Sequence, residues 1–140
     1  ADVGSEGMRS ILKESYEVDL DPYTGYLLRC DRVDFPLGGI AYTHTHPGPG
    51  IRCLLSGELH IQVNQKDSFI RPGESWVERG PDPVLAMASE TERTSFVRGM
   101  ILPRSFEGRS SIQYVRAEDT DKPKRQQYTR FVDAFVELPR

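Results

Sequence analysis

Histidine, cysteine and tryptophan are scarce in this 140-residue chain, with three, two and one copies respectively. With so few such residues to build a site, their positions carry weight. The two cysteines, Cys30 and Cys53, lack zinc-ligand spacing and sit in apolar, strand-like runs. Two buried thiols packing as small hydrophobes are expected, and a disulfide only if their strands are neighbours. No apolar run approaches bilayer-spanning length, which excludes a transmembrane helix and any membrane partner that one would imply. Charge of one sign is not in excess either: 18 basic against 21 acidic residues give a net charge of −3. The positive residues are scattered, so no nucleic-acid partner is expected. G-x-S-x-G and a phosphate-cradling loop are both missing, and Ser56, Ser75 and the Ser110-Ser111 pair have no adjacent base. No nucleophilic triad can be built from them. Alternation of helix and strand patterns is absent, as are internal repeats.

What the sequence does hold is a succession of short β-prone runs separated by turn residues. Strands are expected at Arg9–Lys13, Tyr26–Phe35, Ile40–Thr45, Ile51–Leu55 and Glu58–Val63, then at Ser68–Arg71, Ser75–Glu78, Val84–Ser89 and Ser95–Leu102. Between them lie signals such as Pro36-Leu37-Gly38-Gly39, Pro47-Gly48-Pro49-Gly50 and Gly80-Pro81-Asp82-Pro83. Punctuation of this kind predicts an all-β sandwich or barrel. The length suits one domain with a modest core. Residues 1–20 read as an N-terminal arm, 21–104 as the barrel and 105–140 as a C-terminal extension packing on the barrel or on a partner subunit. Within that extension Ser110–Val115 is strand-like, and Glu118–Arg125 reads as a polar linker. The spacing of Tyr128, Phe131, Val132, Phe135 and Val136 fits one face of a helix, while their β-branched and aromatic character suits a strand. The chain starts at Ala1, which fits either a removed signal peptide, and so a periplasmic or secreted protein, or an added segment before Met8 in a cytoplasmic one.

The most informative stretch runs from Gly38 to Leu59. His44 and His46 stand two residues apart at the end of an apolar run. Side chains alternate along a strand, so both imidazoles project to one side and make half of a divalent-metal site. Tyr42 shares that face by the same alternation. His60 does not: with Leu59 and Ile61 in the core, it faces outward.

This stretch resembles the first motif of the cupin superfamily: a glycine, five residues, H-x-H, three or four residues, a glutamate, six residues, a glycine. Gly38, His44, His46 and Gly57 fill the pattern, and Gly50 stands at the glutamate position. The second motif is matched weakly from Gly73, fifteen residues after Gly57; its proline falls on Arg79 and its histidine on Val84 or Pro83. The resemblance implies a jelly-roll β-barrel, a metal in the lumen and a homodimer paired through terminal extensions.

Gly50 withdraws a carboxylate from that implied metal site. If it points inward, so do Arg52 and Leu54, while Ile51, Cys53 and Leu55 face away. A guanidinium inside a barrel must be paired, either with an acidic side chain or with an anionic ligand. Glu78, on one face with Trp76, is the first acidic candidate, and Asp82 in the following turn the second. The metal set expected is therefore His44, His46 and Glu78 around zinc, iron, nickel or manganese. Arg52, Tyr42, Trp76 and Asp82 are the candidate ligand-binding residues. Three function classes follow: a metal-dependent oxygenase or isomerase acting on a small organic acid, a non-enzymatic binding or sensor protein that holds an anion without a metal, or a structural protein whose lumen is filled and inert.

Overall fold

Strand residues alternate inward and outward through most of the chain. The structure, a computed structural model describing residues 7–139, pairs them into two antiparallel five-stranded sheets. In chain order the strands are β1 (Tyr26–Phe35), β2 (Ile40–Thr45), β3 (Gly50–Ser56), β4 (Leu59–Val63), β5 (Lys66–Ile70), β6 (Ser75–Glu78), β7 (Val84–Ala88), β8 (Thr94–Pro103), β9 (Gln113–Tyr114) and β10 (Gln127–Val136). A four-residue helix, α1 (Ala117–Thr120), precedes β10. One sheet has the order β10-β1-β8-β3-β6 and the other β5-β4-β7-β2-β9. Apart from the β4–β5 hairpin, every strand lies in the opposite sheet from the one before it, which is jelly-roll winding. That hairpin closes on Asn64 and Gln65, both at positive φ (50° and 64°), the two-residue turn whose twist matches paired strands. No helix among the described residues is long and apolar enough to cross a membrane.

The inward positions of the first sheet form layers. Leu27, Met100 and Leu102 make a small apolar cluster at one end. Val33, Phe35, Leu54 and Phe96 join Leu59, Ile61, Val84 and Ala86 of the facing sheet in the larger cluster at the other. Between them, on the same strands and the same face, lie Arg29, Asp31, Arg52 and Arg98, each buried. This polar layer pairs internally. Arg98 donates from Nε to Asp31 Oδ1 at 2.7 Å and from Nη2 to Oδ2 at 3.1 Å. Arg29 donates to Asp133 on β10 at 2.9 Å and to the carbonyls of Arg109 and Phe106 at 2.6 and 3.0 Å, so it ties the C-terminal segment to the barrel. Removing one member of a buried pair strands the other's charge. Asp31→Ala should therefore lower the unfolding free energy by about 3–5 kcal/mol in urea titrations, and unchanged stability would mean Arg98 finds water instead.

The structure departs from the sequence expectations in three places and decides a fourth that the sequence leaves open. Arg9–Lys13 forms no strand, because the arm finds no paired backbone; the Lys13 carbonyl accepts a hydrogen bond from Ser75 Oγ of β6 at 3.0 Å. Ser110–Val115 pairs only at Gln113 and Tyr114, opposite Thr45 and His44. Tyr128–Val136 is a strand, not a helix: β1 would otherwise be a bare edge, and β10 pairs along nearly all of it, with a bulge at Phe131. Cys30 and Cys53 are free, half-buried thiols on the outer face of the first sheet, separated by β8, so they neither pack in the core nor meet.

Candidate functional site

The second sheet supplies the histidines. In the β2–β7 ladder Ala41 pairs with Ala86 but His44 pairs with Val84, so β2 carries one extra residue. That bulge keeps both Ala41 and His44 inward and turns Tyr42 to the outer face, where the Lys122 ammonium lies 4.7 Å from its ring centre. Simple alternation through 42, 44 and 46 fails for this reason, and Tyr42 does not line the lumen. The bulge has a second effect: the Tyr42 carbonyl accepts a hydrogen bond from His44 Nδ1 at 2.7 Å. His46, just past β2, is anchored by its backbone N–H to the carbonyl of Gly80 at 2.9 Å, and its Nδ1 lies 3.0 Å from Ser111 Oγ. The rings stand edge to face, 4.9 Å apart, and both are buried. With each Nδ1 engaged, Nε2 is the nitrogen left to face the lumen, the arrangement that fixes a ligating imidazole.

The first sheet supplies the carboxylate. Glu78 pairs directly opposite Gly50 in the β3–β6 ladder. Gly50 itself has no room for a side chain, since a Cβ there would lie 2.7 Å from Met100 Cγ and 2.8 Å from Arg52 Nη1. The space that the first motif gives to glutamate is thus taken by Arg52, and the carboxylate arrives from the neighbouring strand. Arg52, 1% exposed, forms an ion pair with Glu78, its Nε 3.0 Å from Oε2, and Trp76 Nε1 donates a hydrogen bond to the same oxygen at 2.9 Å. Glu78 Oε1 has no hydrogen-bond partner among the described residues and lies 3.8 Å from His46 Nε2.

One donor atom from each of His44, His46 and Glu78 therefore falls within 4.8 Å of the others, a group able to hold a metal ion. The donor set fits one: two imidazole nitrogens and one oriented carboxylate oxygen suit a divalent transition metal. Electrostatics agree. Burial lowers the pKa of His44; the Tyr42 carbonyl and Glu78 oppose it, and the guanidinium groups of Arg52 and Arg98 add to it. His46 is held well below its usual value by burial, then by Arg52 and His44, with Ser111 opposing. Both shifts favour the neutral imidazole, the form that ligates. Burial also brings Arg52 down to about 10, although Glu78 pulls it back up.

The remaining candidates fall apart from this group. Trp76 lines the cavity beside Phe96. Asp82 lies in the turn beyond β6, 3.7 Å from Arg79, and is not brought to the histidines. Val84, at the second-motif histidine position, packs against the lumen as a buried apolar residue. His60 faces outward, stacked on Phe69 and 2.7 Å from Asp67. Three buried polar residues beside the site escape the sequence reading: Asp31, Arg98 and Ser111. The first two were signalled by alternation, because Leu27, Val33 and Phe35 inward force Asp31 inward, and Phe96 and Met100 do the same for Arg98. Ser111 arrives on an irregular segment and carries no periodic signal. The cavity itself is small, about 20 Å³, enough for about one water.

No protein-family model matches the sequence, and no curated protein matches it. Solved structures do. The DMSP lyase DddQ from Ruegeria pomeroyi DSS-3 is 18% identical with a TM-score of 0.51, over 63% of this chain and 43% of that one. A structure of the DMSP lyases RdDddP and RnDddQII gives 14% identity and a TM-score of 0.53, over 64% and 44%. An RmlC-like cupin from Shewanella frigidimarina is 16% identical with a TM-score of 0.49, over 68% of this chain and 99% of that one. The matched part spans less than half the length of the lyases. Jelly-roll winding and the likeness to the two lyase structures show a cupin-like jelly-roll fold.

Proposed function

We propose that this protein is a metal-dependent cupin in which His44, His46 and Glu78 bind a divalent transition metal and a small anionic molecule completes the coordination. The observation that carries the reading is Glu78: one oxygen is fixed by Arg52 and Trp76, and the other is buried, unpartnered and turned toward His46. A buried carboxylate oxygen without a partner is costly, and a cation removes that cost. Three protein ligands leave coordination open, as catalytic metal sites do. A bound metal there would supply Lewis acidity or oxygen activation, the chemistry of isomerases and oxygenases.

Charge supports an anionic partner. Arg52 and Arg98 are balanced by Glu78 and Asp31, and the histidines favour the neutral form, in which the lumen has no net charge before a divalent ion enters. The ion leaves two positive charges, which a carboxylate or similar anion offsets. Arg52 contributes a second attraction, since its Nη1 is buried without a partner. Arg52→Met should cost a small carboxylate such as acetate about tenfold or more in affinity for the metal-loaded protein, with Arg52→Lys restoring only part. Equal thermal shifts in wild type and Arg52→Met would remove Arg52 from ligand selection. The homodimer implied by the resemblance has exposed apolar side chains to use, Ile11 and Leu12 on the arm and Phe131 and Phe135 on β10, and light scattering measures it.

The deciding experiment is metal analysis of untagged protein after incubation with zinc, iron, nickel and manganese. Wild type should retain near-stoichiometric metal, and the His44→Ala/His46→Ala double variant none. Metal-free wild type after all four would transfer the site to the metal-independent binding reading.

A further inference from the structure

The cavity beside the candidate metal group is lined mostly by residues of β1–β4 and β6–β8. Two lining residues come from the C-terminal segment: Ile112, just ahead of β9, and Tyr128, near the start of β10. Tyr128 is 45% exposed although it also lines the cavity, so the residue reaches both solvent and the lumen. The Arg98 guanidinium, itself tied to Asp31, lies 5.5 Å from the ring centre and sets its inner position.

How Tyr128 is held differs from the rest of the wall. β10 is an edge strand, paired on one side only. Its far half is latched by the Arg29–Asp133 pair, but the bulge at Phe131 interrupts the ladder between that latch and Tyr128. The end carrying Tyr128 follows an irregular segment rather than another strand. A bulged edge gives way more readily than an interior strand. Meanwhile the cavity, with Tyr128 in this position, has room for about one water, too little for an organic acid.

We infer that Tyr128 is the size-determining residue of this site: in its inward position the lumen admits only a water-sized ligand, and a larger anion reaches the metal group only when the Tyr128 side chain is displaced. This rests on the metal-site reading above for the identity of the ligand, but not for the barrier at Tyr128.

The test uses the single tryptophan, Trp76, which lines the same cavity and hydrogen-bonds Glu78. Acrylamide quenching of Trp76 needs no metal. It should rise severalfold in Tyr128→Ala and stay near the wild-type value in Tyr128→Phe; equal quenching in wild type and Tyr128→Ala would overturn the barrier. The second arm loads the full-length protein with Co²⁺, confirmed for each variant by its absorption, and titrates formate, acetate and propionate. Wild type should lose about tenfold or more in affinity per added carbon, and Tyr128→Ala should flatten the series. An unchanged series in a Co²⁺-loaded Tyr128→Ala protein would overturn the assignment. If wild type binds no Co²⁺, the metal reading fails while the quenching arm still decides the barrier. Where Tyr128→Ala does not fold, Tyr128→Leu and Ile112→Ala serve in the same two arms.

Discussion

Glu78→Gln should strip the centre of metal and lower the stability of the metal-free protein by about 3–5 kcal/mol, toward the lower end of what breaking a buried ion pair costs. The substitution keeps the length and planarity of the side chain. Its amide oxygen can still accept from Trp76 Nε1 and lie against the Arg52 guanidinium, which is why the loss should not exceed that range. What disappears is the charge opposing a guanidinium that is 1% exposed. The other position becomes an amide nitrogen, a donor with no lone pair for a cation, facing His46 Nε2. Two measurements separate the roles. Metal content reports on the Oε1 side, and urea unfolding without metal reports on the Oε2 side. Glu78 would have neither role if both stayed at wild-type values. Loss of metal alone would leave Arg52 with another source of compensation.

That one residue shows how the sequence can be read and where reading stops. Arg52 and Glu78 were each recognisable as inward by strand alternation, and a buried charge needs a partner. Their meeting depends on β3 and β6 being neighbours in register, with Gly50 opposite Glu78, and pairing between strands so far apart in sequence is not written in either one. Strand positions in the barrel were legible because Pro and Gly punctuate them; β1 and β2 fall at the expected residues. Tyr42 was misplaced because a bulge is a one-residue irregularity with no compositional mark here, and it inverts the face of every residue on one side of it. The last strand was ambiguous for a different reason. Its apolar residues satisfy both periods, and what selects the strand is the open edge of β1, a tertiary fact. Ser111 had no pattern at all, since it reaches His46 from a segment whose course is fixed by Arg29 gripping the carbonyls of Phe106 and Arg109.

The metal-free protein should lose stability as the pH falls below about 6.5, with a slope approaching about 1.4 kcal/mol per pH unit for each of His44 and His46. The direction follows from where the protons go. Burial holds both imidazoles below the ordinary value of 6.5 in the folded chain. Between 6.5 and those lower values the unfolded chain binds protons that the folded chain refuses, so acid favours unfolding; above 6.5 both states are neutral and the contribution is flat. The window is separate from that of the carboxylates. Burial pushes Asp133 up, but its hydrogen bond and ion pair with Arg29 outweigh this and leave it below 3.8, so its contribution is lost only in stronger acid. Urea unfolding at a series of pH values from 8 to 5 measures the slope, and replacing both histidines by asparagine should flatten it. Bound metal should steepen the same curve, because protons then compete with the ion for the two nitrogens. A wild-type profile that is level across this range would mean the imidazoles take up protons without resistance, and a site built on two neutral, desolvated histidines would have to be abandoned.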